Sequence, residues 1–377
     1  MRSPARHPTQ RVLVRLAIAL PVMVCLAAGL WGGLMRAGLL PATSGRATAA
    51  VGGHAFLMIS AFMGTVIGIE RAVALRHTAG FIGPVVSALG GIAWLAGWAG
   101  LAAQMGATAS LAFVAVNVVV VRRQPAPHTA LLLTAALAWC AGSLWHGVAP
   151  ESGAIMPLWF AFLVLTIAAE RLEMTRLMRR QPGASMTLYA VLSALLLSGL
   201  ASAVSAPVGG LLYGLSLSAL ACWLIRFDIA RRTVRAAGLS RYMALCLLLG
   251  YAWLFVAGVA WAATALGGTW QDVALHALAL GFVFSMMLGH APVILPAVAR
   301  VKVLFGGYYY VPLALLHGSL AVRLGAGHVD ARSFQAGAAG NAIAIAVFGA
   351  TVAGSAFAWR RLHGSSDITR ADPRQPA

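Results

Sequence analysis

The sequence predicts an all-α fold, a polytopic membrane bundle of about twelve transmembrane helices forming one integral membrane domain over residues 1–377. Three observations predict it. The chain is 60% hydrophobic and only 10% charged, and its mean hydropathy of +0.85 leaves too little polar residue to clothe a soluble domain. Apolar runs of about twenty residues, the length that crosses a bilayer, recur along its whole length. Basic residues fall in alternate connections between those runs, which is the charge pattern of a threaded membrane protein.

Taken in order, the spans are 12–34, 49–75, 80–102, 105–121, 128–148, 153–172, 186–204, 207–226, 241–265, 271–297, 308–327 and 335–359. The first follows a basic leader, MRSPARHPTQR, and continues to Met35 without a small-x-small cleavage site, so it is read as a retained helix rather than a signal peptide. The third and fourth share a short connection near Gln104, and the eleventh contains Arg323. All but four of the 27 basic residues lie on one side of the predicted bundle, the exceptions being Arg36, Arg46, Arg323 and Arg332. The positive-inside rule then puts both termini in the cytoplasm, with the chain in a bacterial-type inner membrane.

A net charge of +18 invites comparison with nucleic-acid binders, but here the charge is dispersed between apolar spans, so the expected partner is the lipid bilayer and no nucleic acid is expected. Cys25, Cys140, Cys222 and Cys246 each stand alone in an apolar run, without CxxC or CxxCH spacing. They read as small core residues, and covalent c-type haem is not expected.

An internal echo is present. GTVIGIERAVAL at the end of the second span and VLTIAAERLEM at the end of the sixth carry Glu70-Arg71 and Glu170-Arg171, and PAVARVK closes the tenth span on the same side. This suggests three four-helix units in which spans two, six and ten are equivalent. Each Glu-Arg pair is expected to be an interfacial ion pair.

Histidines are the residues that can carry chemistry. His7, His77, His128, His328 and His363 fall at loops or span edges and are expected to be solvated, whereas His54, His146, His276, His290 and His317 fall within spans or at their ends. At about 1.5 Å rise per residue, His54 and His276 both lie roughly 8 Å in from the outer side. Neutral imidazoles at matched depth on two helices can ligate one haem iron from opposite faces. Asp272, four residues before His276, can accept from the second ring nitrogen and fix the tautomer. Gly52 and Gly53, with Ala277 and Gly281, leave room either for a flat macrocycle or for close helix packing. His290, His317 and His146 are weaker metal candidates, each better read as a structural histidine bonded to a neighbouring helix carbonyl, and Met58, Met63, Met286 and Met287 are expected to fill gaps.

These residues carry a resemblance. VGGHAFLMISAF resembles the second-helix haem motif of haem-copper oxidase catalytic subunits, and HALALGFVFSMMLGHAPVILPAVAR resembles the corresponding region of NnrS-type membrane haem proteins, distant relatives of those oxidases. The resemblance implies a low-spin haem, of b type, held by histidines of the second and tenth helices, here His54 and His276. Two departures qualify it. Spans six and seven contain no histidine for the oxidase copper site, so oxygen reduction by that mechanism is not expected, and Gly289-His290 is followed by Ala291-Pro292 where NnrS proteins have Thr-Gly-Arg. Copper elsewhere stays open. The expected function is to sense or handle a small gaseous or redox ligand related to nitric oxide, or to pass electrons; the alternative is a multi-pass transporter with Pro- and Gly-interrupted helices.

Overall fold

The computed structural model describes residues 8–41, 45–174 and 182–364, with side chains from Leu20 to His363. His7 and the basic residues Arg176, Arg179 and Arg180 lie outside the described residues. Among the described residues there is no strand, and ten helices are long and apolar enough to cross a membrane.

The elements follow the predicted spans. They are α1 (Pro8–Arg36); α2, over 45–75 with a turn at Gly53 and π-helical at Phe56–Gly64; α3 (Ile82–Leu95); α4 (Ala99–Arg123); α5 (Pro127–Val148); and α6 (Ile155–Met174). There follow α7 (Ala184–Ala201), α8 (Ala206–Phe227), α9 (Gly238–Ala265), α10 (Gln271–Val298), π-helical at Ala277–Phe284, α11 (Tyr310–Leu324) and α12 (Ala331–Gly364). Long apolar runs become helices because only a helix bonds every backbone N–H and C=O within its own segment, which apolar surroundings demand. The third and fourth helices break not at Gln104, which lies inside α4, but at Gly97, whose φ of 87° is a left-handed turn conformation open to glycine.

By contacts the chain divides into two compact units, Met1–Arg179 with Leu192–Tyr213, and Arg180–Val191 with Gly214–Ala377. In the first, α6 is the most enclosed helix, with every residue from Leu158 to Leu165 buried. A helix apolar on all sides has no face to offer water and settles inside the bundle. Helices α1 and α2 pack backbone to backbone: a Cβ on Gly32 would stand 2.2 Å from the Ala50 carbonyl oxygen. Small residues allow this approach where dispersion between helices, rather than expulsion of water, is the attraction.

In the second unit α9 lies along α10 through three glycine notches. Gly250 receives the Met286 methyl, Gly281 the base of Trp253, and Gly289 the Cys246 side chain. The four cysteines are free thiols; Cys25, Cys140 and Cys246 are buried as expected, whereas Cys222 is exposed on its helix. His128 departs from expectation as well. At the edge of its span, in the first turn of α5, it is buried and only 6% exposed.

Candidate functional site

His54 stands in the second helix just before the π-helical stretch, on the face that meets α1. Its Nδ1 lies 2.8 Å from the Gly29 carbonyl oxygen, and Gly33 makes room for the ring, since a Cβ there would come within 3.0 Å of Cε1. A carbonyl only accepts, so Nδ1 carries the proton and donates, and Nε2 carries the lone pair. The sequence could not have shown this bond, which joins residues 25 apart on two helices.

His276 is the last residue of the α-helical start of α10, and the π-helical stretch begins at the next residue. Its Nδ1 lies 2.9 Å from Asp272 Oδ1 and 3.1 Å from the Asp272 carbonyl oxygen. The expected Asp272 contact is therefore present, and it sets the same tautomer as in His54, with Nε2 bearing the lone pair.

Arg323 completes this cluster. From the last turn of α11 it grips Asp272 with two prongs, Nε to Oδ2 at 3.2 Å and Nη2 to Oδ1 at 2.8 Å. Its Nη2 is 3.2 Å from His276 Nδ1 and 3.1 Å from Nε2. A guanidinium only donates, and Nδ1–H is turned to Asp272, so it is Nε2 that accepts from Arg323 Nη2. Phe334 of α12 lies 5.1 Å from the guanidinium carbon, and Gly337 leaves space for the Arg323 side chain. An arginine inside a predicted span, an oddity in the sequence, is thus the partner that neutralises Asp272.

The π-helical stretches set these two helices apart. A π turn closes i to i+5 bonds, is uncommon, and gathers at functional sites. Here one begins two residues after His54 and the other one residue after His276. In α2 it is anchored at Ser60, whose carbonyl accepts from Ser87 Oγ at 2.8 Å and whose hydroxyl accepts from Trp139 Nε1 at 3.2 Å.

His317, His290 and His146 each have contacts of their own. His317 accepts from Trp253 Nε1 at Nδ1 (2.8 Å) and meets Ser285 Oγ at Nε2 (2.9 Å), so both ring nitrogens are engaged. His290 Nδ1 turns back on its own helix to the Met286 carbonyl oxygen at 2.7 Å. His146 lies in an aromatic cluster, its ring centroid 5.5 Å from Phe56, 5.7 Å from Trp94 and 5.1 Å from Trp159. Gly53 and Gly281, left open between macrocycle and packing, are packing positions: a Cβ on either would strike Trp94 or Trp253. Met58 and Met286 fill the notches at Gly29 and Gly250.

Among the described residues no group of three or more His, Cys, Asp or Glu side chains is placed to hold a metal ion. A bis-histidine haem needs only two such donors. Each histidine holds Nδ1–H against an oxygen, which makes Nε2 the lone-pair nitrogen that a haem iron would take; at His276 that nitrogen already accepts from Arg323, which would have to give way.

Residues 15–357 match the family described as Domain of unknown function (DUF8744). The chain belongs to that family. No curated protein and no solved structure matches it. The DUF8744 match runs from α1 into α12 and so takes in both histidine-bearing helices and Arg323.

Proposed function

We propose that this DUF8744 protein is a haem-binding integral membrane protein, in the manner of the NnrS-type proteins that its two histidine segments resemble. It would cross a bacterial-type inner membrane twelve times, in three four-helix units with both termini cytoplasmic, and carry haem b on His54 and His276. Its task would be to sense or handle a small redox ligand related to nitric oxide, or to pass electrons, and not to reduce oxygen.

One observation carries this reading. Both histidines are prepared in the same way, with Nδ1–H donated to a fixed oxygen, Gly29 O for His54 and the Asp272 carboxylate for His276, and with a π-helical stretch following within two residues. A second-shell acceptor on Nδ1 raises the basicity of Nε2 and fixes the ring direction, which is what an axial ligand needs. When bound, haem would supply one-electron chemistry. The protein's own part is to orient the two rings, keep Asp272 ionised through Arg323 and exclude water from the apolar walls.

The test is the visible spectrum of detergent-purified protein, oxidised and dithionite-reduced. A b-type spectrum lost in His54→Ala and in His276→Ala is the expected result. Colourless wild-type protein from haem-replete cells would overturn the reading, and a spectrum that survives either substitution would overturn the ligand assignment.

A further inference from the structure

His317 has a task other than metal binding. An indole N–H only donates, so the 2.8 Å contact from Trp253 Nε1 makes His317 Nδ1 the acceptor. The ring proton then sits on Nε2, which donates to Ser285 Oγ at 2.9 Å.

The three residues come from α9, α11 and α10, and they bracket the π-helical stretch Ala277–Phe284. Ser285 is the first residue after it. Trp253 presses its Cβ and Cγ into the notch at Gly281, in the middle of it. His276 is the residue immediately before it. A π turn is a weak local arrangement that a helix readily reverts from, and such a reversion would rotate everything on one side of it relative to the other.

We propose that His317 is a positioning residue: by joining Trp253 to Ser285 it locks the π-helical stretch of α10 and so sets the direction in which His276 presents Nε2. The ligand role of His276 rests on the haem reading above; the lock itself does not.

Two variants separate the roles of His317. Gln can accept at its carbonyl and donate at its amide, so His317→Gln keeps both bonds, whereas His317→Leu keeps the bulk and loses both. The haem-independent readout is amide hydrogen exchange of the 277–285 segment in detergent-purified full-length protein. The expected result is exchange at least about tenfold faster in His317→Leu and within about twofold of wild type in His317→Gln, the scale of an opening eased by one to two hydrogen bonds. Trp253→Phe, which deletes one bond and retains most of the ring, should fall between and guards against misfolding of the Leu variant. Unchanged exchange in both His317→Leu and Trp253→Phe would overturn the lock.

The second readout is haem. In haem-loaded protein, His317→Leu should lower haem retention about 10- to 100-fold, as losing an outer-shell partner does, and shift the low-spin electron paramagnetic resonance signal, with His317→Gln restoring both. Faster exchange with an unaltered haem signal would overturn the positioning of His276. Colourless wild-type protein would defeat the haem reading, and exchange would still decide the lock.

Discussion

Arg71 Nη2 lies 2.8 Å from Glu70 Oε1 and 3.4 Å from Glu170 Oε1, so the Glu-Arg motif of α2 and its echo in α6, one hundred residues later, meet at Arg71. The side chains of Arg71, Glu70 and Glu170 are 12%, 25% and 23% exposed. The two ends are tied as an ion-pair cluster at the position where the sequence predicts two separate interfacial pairs.

Arg71→Gln should therefore be more damaging than Glu170→Gln, because it removes contacts to two carboxylates at once. A double-mutant cycle by reversible thermal or denaturant unfolding should give a coupling energy of about 0.5–3 kcal/mol between positions 71 and 170, the range for side chains in one ionic network. Strict additivity would show that the 3.4 Å contact carries no energy.

The close approach of α1 and α2 predicts opposite outcomes at two nearby glycines. At Gly32 a Cβ meets the Ala50 backbone oxygen at 2.2 Å, and backbone cannot turn aside, whereas at Gly52 it meets nothing within 4 Å. Gly32→Ala should destabilise the fold by about 1–3 kcal/mol, and Gly52→Ala should be neutral or stabilise it by up to about 1 kcal/mol through the unfolded chain. Melting of the purified variants checks both.

Asp272→Asn tests the cluster of Asp272, His276 and Arg323. The amide retains an acceptor for His276 but removes the charge that Arg323 grips with two prongs. With Asp272 40% exposed and Arg323 10% exposed, solvent screens part of the loss, and a cost of about 1–3 kcal/mol is expected. On the haem reading, affinity should also fall by about 10- to 100-fold, measured by haem transfer to an apo-globin.

Asp330 opens α12. Its Oδ2 accepts from the Ser333 hydroxyl at 2.7 Å and from the Ser333 backbone N–H at 2.8 Å. These two bonds hold its carboxyl below the usual carboxylate range. A depressed carboxylate contributes stability above its unfolded pKa that is lost as pH falls through the folded one. The first turn of α12 should thus stay capped through neutral pH and fray only in acid below the ordinary Asp range. Hydrogen exchange of residues 331–335 against pH measures this, and Asp330→Ala should abolish the acid step and leave the turn frayed throughout.

The helical segments were legible in the sequence because burying a backbone in apolar surroundings admits few solutions, and apolar runs of about twenty residues announce themselves. Asp272 beside His276 was legible for a similar reason: four residues is one helical turn, so local geometry suffices. Gly97 as the true break between α3 and α4 was harder to see, since a left-handed turn leaves only a single glycine among 41 as its signal.

The sequence by itself determined an all-helical chain, the order of its helices, and the acceptor one turn before His276. Only the tertiary structure decided that Gly29 holds His54, that Arg323 answers Asp272, that His317 is engaged by Trp253 and Ser285, and that Gly53 and Gly281 are filled by tryptophans. Each of these joins residues far apart in the chain, and the π-helical stretches after His54 and His276 arise the same way. Composition and periodicity report what a segment prefers alone, whereas an extra residue in a helical turn persists only where neighbouring helices, through Ser87 and Trp139 or through Trp253 and His317, hold it.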